Sequence, residues 1–247
     1  MQENSKYKFK FDEDGFFICK KVFKINFIKK ILDEIYEAKE TVKYFDNNKN
    51  LRRIEKLYDK GVALKTLNNK LIKLLTEIFN EEFLIFKDKF NAKPPGGDGF
   101  FAHYDGIFHF VDDKNLTRNG WYEYDNKFIN VLVALDPCDS SNGALELARH
   151  HKGSFDDLIK NTKNDGTPAL REDVERKEVF NVINLDIGDI VVFSNTCPHR
   201  SKKNNTKENR RIIYYTYSSK KNGSQYNQYF EDKKKSKNTS KALLEKK

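Results

Sequence analysis

His103 and Asp105 stand two residues apart in the run Phe100-Phe-Ala-His-Tyr-Asp105. On an extended segment such residues share one side, so both can grip one ion while Tyr104 turns away. A second histidine, His199, follows the apolar run Ile190-Val-Val-Phe193 and a short Ser194-Asn-Thr-Cys-Pro198 segment. Two imidazoles and one carboxylate on one face leave three coordination positions open, the donor set of non-haem iron(II) oxygenases. That count suits an ion that must hold two oxygens of 2-oxoglutarate together with O₂. The carboxylate offsets part of the metal charge. A His-x-Asp pair alone occurs widely, so a second signal is needed. The far carboxylate of 2-oxoglutarate needs a fixed cation, and arginine binds a carboxylate through two parallel hydrogen bonds. Arg210 follows His199 by eleven residues, at the start of another strand-like run. Arg211 should face the opposite side if that strand is regular.

These residues must be carried by elements that the hydrophobic pattern locates. Gly15-Phe-Phe-Ile-Cys19 reads as an opening strand. Phe27, Ile28, Ile31, Leu32, Ile35 and Tyr36 recur at helical spacing, and a second amphipathic helix follows Thr66, its expected N-cap, with Leu67, Leu71, Leu74, Leu75 and Ile78 on one stripe. Beyond Glu82 the texture changes to short apolar runs at 83–86, 128–135, 144–147, 179–185, 190–193 and 212–217. Turn signals at Pro94-Pro-Gly-Gly97, Asp136-Pro137, Ser141-Asn-Gly143 and Gly188-Asp189 divide them. The expected architecture is mostly β with flanking α-helices, a jelly roll or double-stranded β-helix. It forms one domain, 1–247, with a helical part about 1–82, a jelly-roll core about 83–230 and a basic polar tail about 231–247. The polar stretch 153–177, with helix-like Ser154-Phe-Asp-Asp-Leu-Ile159, reads as an insertion between strands.

Composition narrows the class. The chain has 247 residues, 38 % of them apolar and 13 % aromatic, enough for a packed core. The three cysteines, Cys19, Cys138 and Cys197, are unpaired by number and read as free thiols in a reducing compartment. The N-terminus lacks an apolar secretory core and no apolar run approaches a membrane span, so the expected location is the cytoplasm, with no membrane partner. The net charge of +9 comes mostly from lysine, since only nine of the 46 basic residues are arginine. Glu231 to Lys247 carries seven lysines against three acids. A solvated tail accounts for this, and a nucleic-acid partner is not expected.

Taken in order, His103-Tyr-Asp105, Asn142-Gly-Ala-Leu145, Gly188-Asp189 and His199-Arg-Ser-Lys-Lys-Asn-Asn-Thr-Lys-Glu-Asn-Arg210 resemble the phytanoyl-CoA dioxygenase family. The similarity runs from about Lys93 to Tyr217. The resemblance implies a double-stranded β-helix with iron(II) and 2-oxoglutarate inside, His103, Asp105 and His199 as ligands, and Arg210 as the cosubstrate arginine. It implies that Ser201 hydrogen-bonds 2-oxoglutarate, and that Asn91, Lys93 and Asn130 line the pocket. Relatives often carry Pro-Gly-Ser-His where this chain has Ala148-Arg-His-His-Lys152, so Arg149 becomes a candidate for substrate recognition. His109, Trp121 and Tyr122 are further candidates for a pocket wall or aromatic lid, and Cys197 is expected as a buried thiol. The expected activity is hydroxylation of an unactivated C–H bond of a small metabolite, coupled to succinate and CO₂ formation. Rival readings are a non-catalytic jelly-roll binding module and a halogenase, which would replace the ligand carboxylate by a small residue.

Overall fold

Residues 2–163 and 165–235 are described by a computed structural model. In chain order the elements are α1 (Gln2–Asp14), β1 (Phe16–Cys19), α2 (Ile25–Glu37), β2 (Val42–Phe45), β3 (Leu51–Glu55), α3 (Val62–Phe79), β4 (Phe83–Lys93) and β5 (Phe100–His103). Then come β6 (Phe110–Val111), β7 (Thr117–Arg118), β8 (Ile129–Ala134), β9 (Leu145–Leu147), α4 (Phe155–Leu158) and α5 (Glu172–Glu175). The last are β10 (Asn181–Val182), β11 (Ile190–Ser194), β12 (His199–Ser201), β13 (Arg210–Ser219) and α6 (Tyr226–Lys235). Two antiparallel sheets face each other as a jelly roll: a larger one ordered β1-β11-β8-β13-β4-β3-β2 and a smaller one ordered β10-β9-β12-β5.

The larger sheet separates two environments by strand alternation. On β4, Phe86 and Phe90 face a core shared with Leu67, Leu71 and Leu75 of α3 and Ile28, Ile31 and Ile35 of α2. Lys89, Asn91 and Lys93 point the other way, into the barrel. Its neighbour β13 does the same, sending Ile213 and Tyr215 to the core and Arg210, Ile212 and Tyr214 to the interior. Burying each large apolar side chain stabilises this layer by about 1.5–3 kcal/mol, which anchors the strands that hold the polar interior. The Gly61–α3 junction is closed by Glu34, whose carboxylate accepts from the Ala63 and Leu64 amides at 2.8 and 2.9 Å.

Several local expectations change. Thr66 is not the N-cap of α3; the helix begins four residues earlier behind Gly61, and the Thr66 hydroxyl donates to the Val62 carbonyl at 2.7 Å. The run 179–185 yields only β10, because Val179 is exposed and Ile183 and Leu185 enter the core from irregular backbone. The N-terminal part also contains α1, pinned by Phe11 against Phe17 and Phe79, and the β2–β3 hairpin. That hairpin escapes a periodicity reading because Arg53 and Glu55 occupy inward positions where an apolar residue would mark a strand. At the C-terminal end α6 extends to Lys235, and the remaining tail, 236–247, lies outside the described residues. No described helix is long and apolar enough to cross a membrane.

Candidate active site

Both ends of the donor set come from the smaller sheet. His103 closes β5 and His199 opens β12, and the two are register partners with ring centroids 4.1 Å apart. Asp105 lies just beyond β5, fixed by its amide, which donates to the Asn195 carbonyl at 3.1 Å. Donor atoms of the three residues all fall within 4.8 Å of one another, and all three residues are buried. Each imidazole turns Nδ1 to the carbonyl two residues before it, Phe101 O at 2.9 Å and Cys197 O at 3.0 Å. Those contacts assign the proton to Nδ1 and leave the Nε2 lone pairs for an ion. Burial lowers both histidines below their ordinary range, so they are neutral at pH 7. Burial alone would raise Asp105, yet Lys89 and the imidazoles outweigh it and hold the carboxyl well below the usual range. Asn130 donates to Asp105 Oδ2 at 3.0 Å and accepts from Thr216 at 2.7 Å, so it orients the carboxylate and has little freedom to bind anything else. The charge states and lone pairs fit a divalent transition metal without rearrangement.

A cavity of about 80 Å³ adjoins this cluster, with His103 and His199 in its wall. Arg210 lines it, 4 % exposed, with no carboxylate partner among the described residues and with Nε lacking a hydrogen bond. A buried guanidinium without a counter-ion is costly unless an anion arrives. That orphaned donor is what a diacid such as 2-oxoglutarate would satisfy. Opposite Arg210 in register stands Lys93, whose ammonium donates to Ser201 Oγ at 2.9 Å, to the Gly143 carbonyl at 3.2 Å, and to the Lys202 carbonyl. Burial, then Arg210, lowers Lys93 to about 7. Gly143 is required here: its φ is +73°, and a Cβ would sit 2.2 Å from the Lys202 carbonyl. Arg211 faces away and is clamped by both oxygens of Asp136 at 2.7 Å.

The other candidates are not brought to this wall. Arg149 is corrected: it is exposed and pairs with Asp14 at 2.9 Å on the outside of the barrel. His109 packs on Phe155 with ring centroids 5.3 Å apart, and Tyr122 packs on the same ring at 5.1 Å. Trp121 plugs the core against Phe86 and Phe128, so it forms no lid over the cavity. Cys197 is buried, its thiol donating to the Gly15 carbonyl at 3.3 Å.

Lys89, Arg53, Arg52 and Tyr214 line the cavity without having been singled out by sequence reasoning. The signal was present: Lys87, Lys89, Asn91 and Lys93 alternate along β4 with Phe86, Asp88, Phe90 and Ala92. Polar residues at every second position, with Phe86, Phe90 and Ala92 among the residues between them facing a core, mark a strand whose interior side is a site.

The chain matches the phytanoyl-CoA dioxygenase (PhyH) family over residues 11–212. It is 26 % identical to a 2-aminoethylphosphonate dioxygenase of an uncultured bacterium, HF130_AEPn_1, over 84 % of this chain and 77 % of that one. It is 27 % identical to a methylphosphonate hydroxylase of Gimesia maris, over 71 % and 61 %. Among solved structures, EctD from S. alaskensis with 2-oxoglutarate and 5-hydroxyectoine superposes with a TM-score of 0.67 at 16 % identity, covering 88 % of this chain and 77 % of that one. The epimerase SnoN, in complex with Fe³⁺, alpha ketoglutarate and nogalamycin RO, gives 0.68 at 14 %, covering 88 % and 84 %. On that match the chain belongs to the phytanoyl-CoA dioxygenase family, whose members use iron(II), 2-oxoglutarate and O₂, and it is a dioxygenase of that kind.

Proposed function

We propose that this enzyme hydroxylates an aliphatic C–H bond of a small metabolite, with His103, Asp105 and His199 holding iron(II) and Arg210 holding 2-oxoglutarate. One observation carries the reading: a neutral-His, ionised-Asp donor set shares a cavity with a buried guanidinium that has no partner among the described residues. Bound iron(II) would supply O₂ activation and the oxidative decarboxylation of 2-oxoglutarate to succinate and CO₂. The chain's own part is positional. Arg210 takes the distal carboxylate in a two-pronged contact, Ser201 adds a hydroxyl beside it, and Lys93 holds that hydroxyl in place. Asn130 keeps Asp105 Oδ2 from rotating, and Tyr214 and Phe100 wall the cavity and exclude water. The two phosphonate-processing relatives support a small polar substrate. Asp105 argues against halogenation, which needs that carboxylate replaced. Three buried free thiols support a reducing, cytoplasmic setting.

Anaerobic addition of iron(II) and then 2-oxoglutarate tests the reading. A metal-to-ligand charge-transfer band that saturates with 2-oxoglutarate is expected, followed by succinate release on admitting O₂. Iron(II) binding without any such band would overturn it.

A further inference from the structure

The interior carries more positive charge than the cosubstrate uses. Lys89 lines the cavity, stacks over the Tyr214 ring at 4.6 Å, and has no hydrogen-bond or ion-pair partner among the described residues. Arg53 lies on the neighbouring strand opposite Asn91, its Nε donating to Asn91 Oδ1 at 3.2 Å and its NH1 3.7 Å from Glu55. Lys87, one step further along β4, sits over the Trp121 ring at 4.8 Å. Against Lys87, Lys89 and Arg53, the nearby carboxylates outside the donor set are Glu55, already bonded to Lys233 at 2.5 Å, and Asp88, which accepts from the Lys56, Leu57 and Tyr58 amides and from the Tyr226 hydroxyl.

Lys89 enters the cavity at a different level of the sheet from the cosubstrate arginine. Arg210 is the register partner of Lys93, whereas Lys89 is the partner of Tyr214, four residues along each strand. Their backbone positions are therefore roughly 13 Å apart at about 3.3 Å per residue, so the two side chains enter the one cavity from different levels of the sheet. Lys89 shares the cavity wall with His103 and His199, and its charge helps to hold Asp105 ionised. Burial without an anion is unfavourable for an ammonium and lowers Lys89 to about 7.

We propose that Lys89, with Arg53 braced by Asn91, forms a second anion cradle that binds the oxyanion head group of the primary substrate. The inference rests on the dioxygenase reading above and adds a substrate class to it: small organic anions, with phosphonate or carboxylate as the recognised group. Held there, the head group lies next to the donor set and its adjacent carbon is the one offered for oxidation. A dianion is the better match, because Lys89 and Arg53 both line the cavity and Lys87 adds to the field behind them.

The experiment is calorimetric titration of the iron-loaded, 2-oxoglutarate-saturated protein with methylphosphonate, acetate and acetamide under anaerobic conditions. Saturable binding of methylphosphonate, with acetate weaker and acetamide absent, is expected. Lys89→Met should weaken methylphosphonate binding by more than about tenfold, and Lys89→Arg should retain most of it. In both variants the 2-oxoglutarate charge-transfer titration should move by less than about threefold, while Arg210→Ala gives the reverse pattern. Arg53→Gln serves as the second variant should Lys89→Met fold poorly, folding being checked by circular dichroism. Acetate binding as tightly as methylphosphonate would keep the cradle and assign it to carboxylates. Absence of saturable anion binding, or a loss in Lys89→Met that falls on 2-oxoglutarate instead, would overturn the proposal. Failure of wild-type protein to bind 2-oxoglutarate would instead overturn the dioxygenase reading on which it rests.

Discussion

The two sheets of the barrel divide the work unequally. The smaller sheet supplies His103 and His199 from strands of four and three residues, and their side chains are fixed mainly by local backbone carbonyls. The larger sheet supplies Arg210, Lys93, Lys89 and Asn91 from strands of ten and eleven residues, backed by helices and a continuous apolar core. A metal donor set needs only short-range geometry, so brief strands suffice. Holding several bare cations inside a barrel needs a rigid frame to keep water and stray anions out. Hence the charged face lies on the best-supported strands.

The sharpest test of that division removes the smaller sheet's donors. His103→Ala, Asp105→Ala and His199→Ala should each abolish iron-dependent turnover, because a three-donor set has no spare. The fold should persist, since none of the three belongs to the main apolar cluster. Iron(II) titration and succinate release measure the first point, and circular dichroism the second. Wild-type-level succinate from any one variant would break the comparison.

The larger sheet should respond differently. Arg210→Ala removes a charge-assisted, two-pronged contact and should weaken 2-oxoglutarate by about 2–5 kcal/mol. That is roughly 30-fold to several-thousand-fold in apparent affinity, with iron(II) binding retained. Arg211→Ala is the control on the opposite face. It should leave the charge-transfer titration unchanged and lower Tm, because Arg211 is bonded to Asp136 through two 2.7 Å contacts. A larger cosubstrate effect from Arg211 would place the strand register one residue out.

The same contrast explains what could be read from sequence. The strands of the larger sheet carry apolar runs, so 83–86, 128–135, 190–193 and 212–217 declare themselves, and Arg210 follows from its distance to His199. In the smaller sheet the runs 144–147 and 179–185 signal β9 and the short β10, whereas the two ligand-bearing strands are silent to periodicity. β5 and β12 are located by the chemistry of His103-x-Asp105 and His199, since segments this short contain less than one useful alternation. Arg52 and Arg53 stayed hidden because a charged hairpin resembles a loop. Lys89 stayed hidden because a lysine within an apolar strand reads as solvent-facing until the other face is known to be core. Trp121 and Arg149 were misplaced for a related reason: composition marks them as binding groups, whereas Phe86 and Asp14 decide where they go.

A third test separates charge used for binding from charge used for the frame. Glu55 is buried; burial alone would raise its pKa, but Lys233 of α6 and Arg53 bring it down from 4.5 to about 2. A carboxyl depressed on folding contributes stability above its unfolded pKa and loses it as pH falls toward the folded one. Unfolding free energy should therefore drop between about pH 4.5 and 2 by roughly 3 kcal/mol, at about 1.36 kcal/mol per unit. Lys233→Met should flatten that slope and lower stability at pH 7 by about 3–5 kcal/mol, leaving a buried carboxylate with less compensation. Urea titrations at several pH values would check both. An unchanged slope in Lys233→Met would show that Arg53 alone sets the Glu55 charge state.

The smallest effect is expected just beyond that ion pair. Lys233 is bonded to Glu55 at 2.5 Å, and Tyr124 donates to Asp232 at 2.8 Å, so α6 is tied to the barrel before the lysine-rich sequence ends. Tyr229 and Phe230 add apolar burial at the same place. Deleting Ser236 to Lys247 removes four lysines, one glutamate and few apolar residues while leaving those ties intact. Self-repulsion among exposed lysines is weak and screened at physiological salt, so stability should change by within about 0.5 kcal/mol. Turnover should stay within about twofold. Thermal melts and succinate release on the truncated chain, run at low and at physiological salt, measure this. A loss of activity that appears only at low salt would mean that the tail's charge draws an anionic substrate toward the cavity. A loss of Tm at both salts would mean that the tail supports the frame that α6 was thought to complete alone.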